Sequence, residues 1–86
     1  MQTSYLKYSH SNNIHKFVMY QADSSAMDTF FNTLYEVLES LENDAPFYSI
    51  HDLTQSGFPS FHHNIVRATR IMKIHNIKRV NRGLVI

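Results

Sequence analysis

Apolar residues recur at Met27, Phe30, Phe31, Leu34, Val37, Leu38 and Leu41. This spacing forms one continuous stripe at a 3.6-residue period and predicts an amphipathic helix, with Asn32, Glu36, Glu39 and Asn43 turned toward solvent. Asp23-Ser24-Ser25 opens the helix. Ser25 with Asp28 three residues later resembles a capping box, with Asp in place of the usual Glu. Asp28 also falls in the expected first turn, where the helix dipole favours an anion. Asn43-Asp44-Ala45-Pro46 ends the helix, because Pro46 disfavours helical backbone at Ala45.

Around this helix the pattern changes period. Tyr5–Ser9 alternates weakly, and His10-Ser11-Asn12-Asn13 is a cluster of turn formers. Ile14–Gln21 follows as a strand on which Ile14, Lys16, Val18 and Tyr20 share one face. These two segments predict an antiparallel hairpin. Phe47–Leu53 reads as a strand with both faces partly apolar, as inside a parallel sheet. Thr54–Pro59 is a turn. Phe61, Ile65, Ala68 and Met72 then mark a second helical stripe, widened by Ile71 and Ile74, with Ser60 as its N-cap and Asn76 near its end. Val80–Ile86 is a final strand. The predicted fold is a small α/β domain over residues 1–86 in the order β-β-α-β-α-β. Its helices lie on one face, and Phe47–Leu53 sits between two parallel neighbours.

Composition narrows the class. A chain of 86 residues makes one domain and buries only about 60% of its unfolded surface. Two Gly, two Pro and eleven Phe and Tyr residues argue against disorder. Cysteine is absent, which removes disulfides and thiolate chemistry and fits a reducing compartment. With neither a signal-peptide h-region nor an apolar run near the roughly 20 residues of a membrane span, a cytoplasmic protein without a membrane partner is expected.

Charge is unevenly placed. Between Phe17 and Asp52 there are seven acidic residues and no Lys or Arg; between Leu53 and Ile86 there are six basic residues and no acid. The plain reading is two helices whose solvated faces attract each other weakly. The sharper reading is a basic surface of Arg67, Arg70 and Lys73 that meets an acidic partner. Nucleic acid is not expected, because the basic tail carries no stacking aromatic after Phe61.

The element order and the run Ser49-Ile50-His51-Asp52-Leu53-Thr54 resemble the STAS domain, the sulfate-transporter and anti-sigma-factor-antagonist fold. Its members carry an N-terminal hairpin, an amphipathic helix, and a strand ending in Asp-Leu and a small polar residue, followed by a second helix and a further strand. Ile50–Thr54 matches the strand end, and Ile77–Ile86 resembles the basic residue and apolar strand after the second helix. The resemblance implies a non-catalytic regulatory or protein-binding module. The phosphorylatable Ser or Thr of bacterial antagonists sits in an Asp-Ser-Ser-Gly-like turn. This chain has Phe58-Pro59-Ser60-Phe61-His62-His63 there, and its Ser56-Gly57 comes about four residues early. The family's final helix and strand also have no counterpart. The apolar end Gly83-Leu84-Val85-Ile86 is accordingly expected either to continue into a longer protein or to be covered by a protein partner or a second copy.

A rival function would use the corner at the carboxyl end of the central strand, where open α/β sheets bind ligands. Asp52, Thr54, Ser56 and Ser60 are its candidate ligand- or partner-binding residues. The plain alternative is that Asp52 caps the turn. His51 and Asp52 point to opposite faces of a strand and cannot form a dyad. His62 and His63 diverge on a helix, and no metal-ligand spacing or nucleophile elbow is present. No catalytic residue, metal or cofactor is expected.

Overall fold

A computed structural model of the chain describes residues 2–42, 45–59, 66–71, 73 and 81–86. The elements are β1 (Leu6–Ser11), β2 (Ile14–Met19), α1 (Ser24–Ser40), β3 (Phe47–Asp52), a second helix α2 described at 66–71 and 73, and β4 (Asn81–Val85). The order is the predicted β-β-α-β-α-β. The strands form one mixed sheet in the order β1-β2-β3-β4. β1 and β2 are antiparallel, whereas β2–β3 and β3–β4 are parallel, so β3 is central to the parallel part.

The hairpin turn is tighter than the sequence suggests. β1 runs on to Ser11, which pairs with Ile14, and leaves only Asn12 and Asn13 as the loop. Their φ angles of 51° and 67° are both left-handed. That is the geometry of a two-residue type I′ turn, whose twist matches the flanking strands and which asparagine tolerates. At the other edge the β3–β4 pairing reaches the chain end. The Ile86 N–H donates to the His51 carbonyl at 2.9 Å, and the Leu53 N–H donates to the Ile86 carbonyl at 2.7 Å.

The start of α1 differs from expectation. Asp23, not Ser25, is the N-cap: its Oδ1 accepts from the Ala26 N–H at 2.9 Å. With the helix beginning at Ser24, Asp28 lies beyond the first turn, which contains no acidic residue. Three consecutive cap-competent residues stand at this junction, and the extended backbone at Asp23 selects the first. Asp28 instead pairs with Arg67 of α2.

α1 buries the predicted stripe from Met27 to Leu38, together with Ala26 and Thr33. The sheet answers with Leu6, Phe17, Met19 and Phe47. Thus β2 turns His15, Phe17 and Met19 toward the helix, and Ile14, Lys16 and Val18 away from it. Ala68 and Ile71 pack against the same core, and the Asp28–Arg67 pair ties α2 to α1 on that face. The predicted positions Ser60, Phe61, Ile65, Met72, Ile74 and Asn76 lie outside the described residues. The opposite face of the sheet has no helix on it among the described residues. Register there sets Ile14 beside Tyr48 and Ile50 beside Leu84, and Ile14, Tyr48 and Leu84 are exposed.

Candidate functional site

The corner after β3 is a closed turn. Asp52 Oδ1 accepts two hydrogen bonds from Thr54, from its N–H at 3.0 Å and its hydroxyl at 2.7 Å. These bonds, the hydroxyl's first, hold the Asp52 carboxyl below its ordinary pKa, with Lys16 adding to the effect. The Gly57 N–H then donates to the Leu53 carbonyl at 2.8 Å. Gly57 has φ of 75°, a conformation that glycine adopts without strain. The Ser56 hydroxyl donates to the Gly57 carbonyl at 2.9 Å. Of the candidates at this corner, Asp52 and Thr54 are brought together to build the turn, Ser56 secures its far side, and Ser60 lies outside the described residues.

A different polar pair faces the helices. Alternation along β3 turns Phe47, Ser49 and His51 inward. Ser49 Oγ and His51 Nε2 share a hydrogen bond of 2.8 Å. The imidazole is stacked on Phe17 and meets the edge of Phe30, and burial lowers its pKa below the ordinary 6.5. A catalytic serine–histidine arrangement needs a third group to orient the base. Among the described residues no carboxylate bonds the other ring nitrogen of His51. Burial disfavours the His51 imidazolium, and the bond to Ser49 engages its Nε2. Sequence reasoning does not pair His51 with Ser49. The i, i+2 spacing of Ser49 and His51 on a strand was the signal that could have found it.

Ser49 and His51 open onto a cavity of about 680 Å³ between α1, the β3–β4 half of the sheet and the loop after β3. Met27, Phe30 and Leu34 line it from α1, Phe58 and Pro59 from the loop, and Ala68 from α2. Gly83 of β4 pairs in register with Ser49 and borders the same space.

A second aromatic group lies on the hairpin. The Tyr8 hydroxyl and His15 Nδ1 are 2.7 Å apart, and the rings of Tyr8, His10 and His15 stack. Burial and the neighbouring His10 lower the His15 pKa. Among the described residues no three His, Asp or Glu side chains converge as a metal site, and no helix is long and apolar enough to cross a membrane.

The expected basic surface is divided. Arg67 donates to Asp28 Oδ1 and lies over the Phe31 ring, 4.6 Å from its centroid. Arg70 and Lys73 are exposed. Compared with known proteins, the chain matches no family model, no curated protein and no solved structure.

Proposed function

We propose that this chain is a STAS-like, non-catalytic module that works by binding another protein or a second copy of itself. The observation that carries this reading is the outer side of the β3–β4 half of the sheet, which no helix covers among the described residues. Parallel strands are ordinarily covered on both faces. Here Tyr48 and Leu84 are exposed on the face away from the helices, and Leu84, Val85 and Ile86 are each more than half exposed along the edge strand. An exposed apolar edge strand is a template for further pairing. The order β-β-α-β-α-β and the parallel β2–β3–β4 register support the family reading. The internal engagement of Asp52 and Thr54 favours a protein surface over the corner as the working part. Arg67, held by Asp28 and Phe31, does not extend the basic surface that a nucleic acid would need.

A photo-crosslinking residue placed at Leu84 tests the reading in the native host, with Glu36 on the solvent side of α1 as control. A discrete adduct from position 84 and none from position 36 is expected, its mass reporting a second copy or another protein. If position 84 gives no adduct, or the same adducts as position 36, the reading is wrong.

A further inference from the structure

The protein-binding reading uses the outer face and edge of the sheet and leaves the cavity on the helix side unexplained. We propose that this cavity binds an uncharged small molecule with an apolar body and one hydrogen-bonding head, and that Ser49 and His51 hold the head. Three observations converge on this.

The first is size and lining. A volume of about 680 Å³ lies within the range of pockets that take a small organic ligand, about 300–1,000 Å³. Its walls are mostly apolar, built from Met, Phe, Leu, Pro, Ala and Val residues. Such walls favour an apolar body.

The second is the polar anchor. The Ser49 hydroxyl carries one donor and two acceptor sites, and its bond to His51 uses only one of them. The remaining capacity sits on the border of an apolar space. A head group that both donates and accepts can complete it.

The third is Gly83. Its φ is outside the left-handed range, so the backbone does not require glycine there. Glycine inside a strand weakens the strand and often marks a close approach by something else. A Cβ at position 83 would stand 3.2 Å from Ser49 Oγ and 3.8 Å from the His51 ring. The missing side chain is what leaves the pair accessible from the β4 side.

An uncharged head is favoured because, among the described lining residues, no side chain balances a charge. Burial lowers the His51 pKa and so disfavours a cationic imidazole as a counter-charge. Arg82 borders the cavity, but its register partner is Tyr48, and alternation sends both side chains to the outer face of the sheet. Burying an unpaired carboxylate or ammonium here would be strongly unfavourable.

The test uses the 86-residue chain and the fluorescent probe N-phenyl-1-naphthylamine, with 1-decanol, decane and decanoate as competitors. Saturable one-to-one probe binding is expected, displaced best by 1-decanol. Ser49→Ala should weaken 1-decanol about tenfold, the loss of roughly one hydrogen bond, and leave decane unchanged. Ala68→Phe should abolish probe binding by filling the space. Should Ala68→Phe fail to fold, Gly83→Ala on the exposed edge strand decides: its added methyl should weaken 1-decanol and not decane. Absence of saturable binding would show an unfilled packing gap and overturn the proposal. So would 1-decanol binding that is indifferent to Ser49→Ala and Gly83→Ala, or decanoate binding as tightly as 1-decanol. None of these outcomes touches the crosslinking result at Leu84, so the two readings stand or fall separately.

Discussion

The imidazole of His51 lies flat on the ring of Phe17, with 5.3 Å between centroids and planes 5° apart. The Phe30 ring meets both edge-on, at 5.3 Å from Phe17 and 5.6 Å from His51. These three rings join β2, β3 and α1. A titratable group thus stands at the centre of the contact that holds helix to sheet.

That placement makes stability depend on pH. Burial lowers the His51 pKa in the folded chain, whereas the unfolded imidazole titrates near its ordinary 6.5. At pH values near and below 6.5 the unfolded state therefore binds more protons, and stability falls as pH falls. His15, lowered by burial and by His10, acts in the same direction. Urea midpoints measured from pH 8 to pH 5 should be level at the alkaline end and decline below about pH 6.5. His51→Gln should flatten part of that decline. The stabilisation from Asp52 is present across this range and is lost only at lower pH, as the carboxyl protonates below its ordinary value of 3.8. A wild-type midpoint that is constant across the whole range would refute the linkage.

Phe17 is fully buried and touches the rings of His51, Phe30 and Tyr8. Phe17→Ala should cost about 3–5 kcal/mol, the range for deleting a core aromatic. In a domain this small, that removes most of the folding free energy. Equilibrium urea unfolding reads the value directly. A loss below about 1 kcal/mol would mean that the three-ring contact does not organise the core.

The cap assignment separates Asp23 from its neighbours. Asp23→Ala removes the acceptor for the Ala26 N–H and should cost about 1 kcal/mol. Ser25→Ala should be close to neutral, since no capping bond involves its side chain in this structure. Asp28→Asn breaks the pair with Arg67 and should cost less than about 1 kcal/mol, because Asp28 is exposed. That smaller loss should shrink further in high salt. A Ser25→Ala loss larger than that of Asp23→Ala would return the cap to Ser25.

The hairpin turn can be tested by shape. Asn13→Gly should leave stability within about 0.5 kcal/mol of wild type, because glycine adopts positive φ freely. Asn13→Val should cost about 1–2 kcal/mol by forcing a β-branched residue into the left-handed region. Thermal unfolding of the two variants compares them. Equal midpoints would show that the turn relaxes to another geometry.

Elements with a strong local signal were legible. The α1 stripe is a run of seven apolar positions whose period only a helix satisfies, and six of the seven are buried. The parallel arrangement followed from strands separated by helices, since such a connection cannot close an antiparallel hairpin. The turn at Asp52 was readable as the plain alternative to a binding corner, because an Asx bond spans only two residues. The Ser49–His51 pair was not. Nothing in the run Phe47-Tyr48-Ser49-Ile50-His51-Asp52 states which alternate set faces the helix. Both sets hold apolar and polar members. On β2 the same ambiguity placed Ile14 outside and His15 inside.

The sequence by itself therefore determined the kinds of element, their order and the parallel sense of the sheet's second half. These depend on periodicity, turn chemistry and connection length, all of which act between near neighbours. Only the tertiary structure decided which face of each strand α1 covers, and hence that Ser49, His51 and Gly83 border one cavity. It also decided that Asp28 meets Arg67, 39 residues away. Those choices depend on shape complementarity between surfaces distant in the chain, where Phe17 and Phe30 fit together and Ile14 could not take their place.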